Sequence, residues 1–161
     1  TSGFQMVSSS WVWQEGFAVA GFPAPCGPAP KRFAVAGIGC APENSAVMMR
    51  SVQAGRILQL PSGATLSDGT AGGVEDGAIT FELCTSFVDH WVAVSETEIA
   101  NAITFFLSEH RMAIEGAAGV AIAAYRKTSR RYAGKRVAII VCGGNIELEK
   151  LQSILAGDFA S

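Results

Sequence analysis

The chain has 161 residues, enough for one compact domain with a core and too few for two of ordinary size. With 49% hydrophobic and 16% charged residues and a formal net charge of -2, its composition argues against extensive disorder and against a phosphate-tracking nucleic-acid binder. No apolar run reaches the roughly 18 residues of a membrane span, and no charged segment precedes an apolar one at the start, so a cytoplasmic protein without a secretory leader is expected.

The composition changes near Ile38 and divides the chain into residues 1–37 and 38–161. The first part is rich in Ser, Pro and Ala. Four prolines fall between Pro23 and Pro30, which excludes a helix interior or a central strand there. Phe33–Cys40 reads as a buried strand weakened by Gly37 and Gly39. Pro42-Glu43-Asn44 opens a helix with Val47, Met48, Ser51 and Val52 on one face, and Gly55 stops it. Leu60–Gly77 is a glycine-rich loop region. Asp76 is placed as the cap of a helix carrying Ile79, Leu83 and Phe87, and Trp91–Val94 as a short strand. Ser95-Glu96-Thr97-Glu98 is a capping box. The helix it opens aligns Ile99, Ile103, Phe106 and Leu107.

Glu115–Tyr125 is a small-residue helix, apolar nearly all round and therefore expected inside. Lys127–Lys135 is a basic loop, either a solvated turn or an anion site. Arg136–Cys142 reads as a parallel strand covered on both faces. Gly143-Gly144-Asn145 then leads into a helix aligning Leu151, Ile154 and Leu155. Alternating strands and helices predict an α/β fold, a mostly parallel sheet with flanking helices.

The chemistry of the chain has few candidates. Four cysteines are widely spaced with no C-x-x-C, and His90 and His110 have no helical partner, so a metal site is not expected. Gly37-x-Gly39 lacks the third glycine of a dinucleotide fingerprint, and no P-loop or nucleophile elbow exists. In open parallel sheets ligands bind beyond the carboxyl ends of strands. There Cys142-Gly143-Gly144 presents a polarizable thiol and close backbone, or simply a tight turn. The loop Ser67–Gly73 is more glycine-rich than a plain connection needs. Glu115, heading the most apolar helix, is either a cap favoured by the macrodipole or a polar group facing a ligand.

In order, Gly39-Cys40-Ala41-Pro42-Glu43-Asn44-Ser45-Ala46-Val47-Met48, Ser67-Asp68-Gly69-Thr70-Ala71-Gly72-Gly73, Ile79–Cys84, Glu109-His110-Arg111, Glu115–Ala121 and Val141–Asn145 resemble one family. It is the serine/threonine dehydratase (ammonia-lyase) family of pyridoxal-phosphate enzymes with the tryptophan-synthase-β-like fold. The resemblance runs from about Ile38 to Ile146 and covers the C-terminal half only. It implies that 38–161 is part of a pyridoxal-phosphate-dependent dehydratase-like domain. It puts Cys142 at the pyridine nitrogen, with Gly143 and Gly144 flanking it, and Gly69 and Glu115 near the cofactor. It also implies β-elimination from a hydroxy amino acid to a 2-oxo acid and ammonia, and a homo-oligomer.

The departures from the family pattern are as specific. None of Lys31, Lys127, Lys135 and Lys150 stands in the family's S-x-K context for the Schiff-base lysine. The glycine tetrad that holds phosphate has no counterpart near Gly16–Ala20. Ala41 and Val47 occupy the positions where some members place the ligands of a divalent cation. A frameshift and a truncated or split gene are both open as accounts of residues 1–37. The resemblance therefore predicts an ammonia-lyase incomplete alone, acting with a lysine-bearing N-terminal half. The alternative is a non-catalytic remnant or interaction module associating with an intact homologue. A Rossmann-like nucleotide binder ranks last.

Overall fold

Two short apolar runs distant in sequence meet side by side, and the rest of the fold is arranged around them. In the computed structural model, which describes residues 18–20 and 36–159, they are β2 (Ile38–Pro42) and β3 (His90–Val94). The pair is parallel, with Ile38 opposite His90 and Pro42 opposite Val94. A three-residue strand, β1 (Ala18–Ala20), pairs antiparallel with the other edge of β2.

The glycines that weaken the run as a strand have steric work here. At Gly39 a Cβ would lie 2.6 Å from the Trp91 ring, so the indole can lie over the backbone. At Gly37 a Cβ would strike the Phe87 carbonyl. Asp89 fastens the start of the ladder, its side chain accepting the Gly37 N–H at 2.8 Å and its own N–H donating to the Gly37 carbonyl at 2.9 Å. Among the described residues the ladder runs from Ile38 to Pro42, and residues 33–35 of the expected run lie outside the described residues.

After β2 a 3-10 turn (Glu43–Ser45) leads into α1 (Val47–Ala54), which buries Val47, Met48 and Ser51. Gly55 ends it in the left-handed region at φ 68°. The next helix, α2 (Ile79–Phe87), departs from expectation. Ala78, not Asp76, is its N-cap, with no side-chain cap bond, because Gly77 at φ 80° turns the chain between Asp76 and the helix. Its buried face is Thr80 and Cys84, while Ile79 and Phe87 are exposed and Leu83 is half-buried.

The capping box forms as read: the Ser95 hydroxyl accepts the Glu98 N–H at 3.3 Å, and Glu98 accepts the Ser95 N–H at 2.9 Å. It opens α3 (Glu96–His110), whose Ile99, Ile103 and Phe106 are fully buried and whose Leu107 is partly so. The small-residue helix is α4 (Gly116–Thr128), and every residue of Gly116–Ala124 is buried. A Cβ at Gly119 would lie 2.8 Å from Ile103, which measures how closely α3 and α4 approach. A 3-10 turn (Ser129–Tyr132) follows. The last helix is α5 (Leu148–Ala156), which buries Ile154, half-buries Leu151 and leaves Leu155 exposed.

The strand expected over Arg136–Cys142 is not formed. That segment is irregular except for a single bridge residue at Ile140, although Ile139 is 1% exposed. A ladder needs successive paired residues as well as apolar side chains, and among the described residues the segment adds no strand to the sheet beyond that bridge.

Packing falls into two clusters. The larger joins Cys40, Val94, α3 and α4 with Ile139 and Ile154. The smaller, around Val47, Met48, Val74 and Cys84, lies between α1 and α2 with Trp91 against it. Among the described residues no helix is long and apolar enough to cross a membrane.

Candidate functional site

The N-terminus of α4 is where sequence-distant polar groups meet. Glu115 occupies the N-cap position, yet its side chain makes no cap bond. Its carboxylate instead accepts the Cys142 thiol, with Sγ 3.4 Å from Oε1. The two backbones are tied as well, the Glu115 N–H donating to the Gly143 carbonyl at 3.0 Å.

Both glycines after the cysteine are required by this approach. A Cβ at Gly143 would collide with the Glu115 carboxylate, and one at Gly144 would lie 2.9 Å from the Ala113 carbonyl oxygen. Burial, with the neighbouring Glu115 charge second, pushes the Cys142 thiol up to about 11. The group is thus a neutral S–H donor at physiological pH. Cys40 and Cys84 are buried in the core.

Beside this pair opens a polar cleft of about 110 Å³ bounded by Leu66, Asp68, Glu115, Gly116, Asn145, Ile146, Glu147 and Lys150. Lys150, one turn into α5, reaches across it to Asp68, with Nζ 2.6 Å from Oδ2. That hydrogen bond holds the Asp68 carboxyl below its ordinary range, against a smaller opposing effect of burial. Asp68 and Gly69 belong to a 3-10 turn (Asp68–Thr70) knitted by the Ser67 and Thr70 hydroxyls at 2.7 Å. A buried carboxylate supports the turn from below: Glu96, 3% exposed, accepts the Leu66 N–H at 2.7 Å. Leu66 in turn lies so close to Gly116 that no Cβ fits there.

The structure therefore brings Cys142, Gly143, Gly144 and Glu115 together. Gly69 follows Asp68 in the 3-10 turn and does not itself bound the cleft. A Cβ at Gly69 would meet no described protein atom within 4 Å, so neither packing nor a positive φ explains the glycine there. Sequence reasoning missed Lys150 and Glu96. The Asp68–Lys150 pair spans 82 residues, and no local pattern announces it. Glu96 stands inside the capping box, whose motif assigns roles only to Ser95 and Glu98.

The region beyond the carboxyl ends of β2 and β3 holds something else. Lys127 fills it, donating to the Ala93 carbonyl at 3.0 Å and to Glu98 at 2.9 Å, with Glu43 at 3.5 Å. The Glu98 bond is the main reason its ammonium titrates above the ordinary lysine value. Ala41 and Val47 are buried core residues.

These features can be set beside known proteins. The family model described as "Pyridoxal-phosphate dependent enzyme" matches residues 20–143, which takes in part of the segment before Ile38. An L-threonine ammonia-lyase of Thermotoga maritima is 40% identical over 118 residues, covering 73% of this chain and 29% of that protein. An L-threo-3-hydroxyaspartate ammonia-lyase of a Pseudomonas species is 34% identical, with coverages of 74% and 37%. Among solved structures, the processed form of threonine deaminase isoform 2 from Solanum lycopersicum matches with a TM-score of 0.66 and 30% identity. That match covers 74% of this chain and 35% of the other. The chain thus spans about a third of the length of the relatives it matches.

Proposed function

The chain belongs to the family of pyridoxal-phosphate dependent enzymes, and from that premise we propose that it carries the cofactor-supporting part of an ammonia-lyase acting on hydroxy amino acids. The net reaction converts the hydroxy amino acid to a 2-oxo acid and ammonia. The observation that carries this reading is the Cys142–Glu115 contact beside Gly143 and Gly144 at the head of α4.

The residues present fit the cofactor. A pyridine nitrogen needs a donor, and Cys142 is a thiol kept protonated by burial and by Glu115. The absence of a Cβ at Gly143 lets the Glu115 carboxylate lie against the backbone there. Bound pyridoxal phosphate supplies the electron sink for β-elimination.

What the chain's own groups contribute is narrower. Cys142 would offer the ring nitrogen a neutral hydrogen bond by turning its single S–H away from Glu115, and, unlike a carboxylate, the thiol would not hold that nitrogen protonated. Without the ring, Glu115 accepts that hydrogen and favours the protonated thiol. Lys150 holds the 3-10 turn that carries Gly69 through Asp68, and Glu96 holds the stretch of loop before it through the Leu66 N–H. None of the lysines in the sequence stands in the family's Schiff-base context, so a lysine-bearing N-terminal half is required for turnover.

The test is an absorbance spectrum of the purified chain after incubation with pyridoxal phosphate and dialysis, beside a denatured control. The expected result is no retained band from the chain alone, and elimination from threonine or serine when an N-terminal half of a homologue is supplied. A band retained only by the folded chain would show that one of its own lysines anchors the cofactor. A second reading, a non-catalytic module that associates with an intact homologue, is favoured by the exposed Ile79, Phe87, Leu148 and Leu155. It predicts co-purification with the homologue and no elimination in the mixture.

A further inference from the structure

None of the residues that line the cleft belongs to the basic segment at the end of α4 and beyond. Residues 126–136 hold six of the chain's 12 cations and none of its 14 acids. Elsewhere six cations face all 14 acids. A chain of net charge -2 therefore keeps one strongly basic stretch inside an acidic remainder.

Folding sorts these six cations. The Arg126 guanidinium lies 4.4 Å from the centre of the Phe105 ring, and Lys127 is held by Glu98, Glu43 and the Ala93 carbonyl. The other four, Arg130, Arg131, Lys135 and Arg136, are exposed and have no ion pair among the described residues. They do not stand on a loose tail. The 3-10 turn with Arg130 and Arg131 continues directly from α4. The Thr128 hydroxyl donates to the Ala124 carbonyl at 2.7 Å and the Ser129 hydroxyl to the Arg126 carbonyl at 3.2 Å, which fixes the junction. The chain then reverses, the Lys135 N–H donating to the Tyr132 carbonyl at 2.9 Å with Gly134 at φ 74°. Two dibasic pairs, 130–131 and 135–136, thus stand on the two arms of one turn.

We propose that this turn is a binding site for a small anion with adjacent phosphate groups, each dibasic pair taking one phosphate. Four like charges on one turn repel one another, and no carboxylate of the described chain relieves them. An anion between the pairs does. Three of the four groups are guanidiniums, whose planar forks of N–H donors match phosphate oxygens two at a time. A single phosphate engages one pair and leaves the other unpaired, so linked phosphates fit better than an isolated one. A nucleic-acid strand fits worse, because beyond the turn it would run onto a surface where acids outnumber cations. The inference stands apart from the catalytic reading, since the turn includes no residue of the cleft.

The test is isothermal titration of the full chain at pH 7 and low salt with sodium tripolyphosphate, with orthophosphate and with a short oligouridylate. The chain's negative net charge gives anions no general attraction, so saturable binding reports a local site. The expected result is one site for tripolyphosphate with a dissociation constant below about 1 mM. Orthophosphate should bind at least about tenfold more weakly, and raising NaCl to about 1 M should abolish both. Arg130→Ala with Arg131→Ala, and Lys135→Ala with Arg136→Ala, should each weaken tripolyphosphate at least about tenfold. Arg56→Ala, at an exposed cation elsewhere, should leave it unchanged. Circular dichroism checks that the variants fold. If a double variant does not, the single exchanges Arg131→Gln and Lys135→Gln, each weakening binding several-fold, carry the same reading. Absence of saturable heat below about 1 mM would overturn the proposal. So would equal affinity for orthophosphate, binding that survives both double variants, or tighter binding of the oligouridylate than of tripolyphosphate.

Discussion

Replacing Glu115 by glutamine should make Cys142 easier to alkylate, and the pH profile of that rate tests the contact on which the site is built. Burial and the Glu115 carboxylate raise the thiol from its ordinary 9.0 to about 11. Only the thiolate attacks iodoacetamide, so the smaller acid constant leaves roughly one-hundredth of the thiolate of an ordinary cysteine at pH 8. Burial is the larger cause and survives the substitution, which limits the gain for Glu115→Gln to about three- to tenfold in rate. Rates for each cysteine peptide are read by mass spectrometry, with Cys40 and Cys84, 1% and 2% exposed, as slow internal controls. The linkage has a definite sign. The folded state holds this proton more tightly than the unfolded chain, so the stability it contributes is complete below about pH 9 and is lost as pH rises through about 11. A wild-type inflection at 9.0, or identical profiles for wild type and Glu115→Gln, would refute the reasoning.

Three further outcomes are expected. Phe106→Ala empties the centre of the α3–α4 contact, where the ring is 1% exposed, and should cost about 3–5 kcal/mol. In a thermal melt that is a fall of roughly 10 °C in Tm, and a loss below about 1 kcal/mol would contradict the described core. Gly116→Ala would place a Cβ against the Leu66 carbonyl and 2.6 Å from the Ser67 Cα, both immovable without backbone shifts. It should destabilise by about 1–3 kcal/mol and move the amide resonances of residues 66–70, whereas unmoved resonances would show that α4 does not press on that loop. Lys150→Met removes the bond that depresses the Asp68 carboxyl. Its titration, followed by carboxyl-carbon NMR, should return toward 3.8, and an unchanged profile would mean that the cross-cleft pair does not form in solution.

Local physics was legible in the sequence and partnership was not. The Ser95–Glu98 capping box, the Gly55 stop and the all-round apolar α4 depend on residues within a few positions of one another, and each formed as read. The run at Arg136–Cys142 had the composition of a strand, but among the described residues it forms only the bridge at Ile140, and within it Ile139 alone is buried. For α2 the period was right and the face was wrong. Ile79, Leu83 and Phe87 looked like a core stripe, yet Thr80 and Cys84 are the buried residues. Of the residues that meet at the head of α4, Cys142, Gly143, Gly144 and Glu115 stand in two ordered motifs and could be singled out from the sequence. Lys150 and Glu96 could not, since each acts across a distance that only the fold closes.

The uninterrupted burial of Gly116–Ala124 has a consequence for how this protein can change over generations. An amphipathic helix offers drift about half its positions, and substitutions accumulate with a 3.6-residue rhythm. Helix α4 offers no such side. Enlarging any of its nine buried residues drives a side chain into a neighbouring helix or strand, and a charge at any of them is stranded without water. Inherited variation there is confined to exchanges that keep each side chain apolar and no larger than it is. A lineage that no longer needs the fold would record that loss first in this helix, as the first bulky residue among its glycines and alanines.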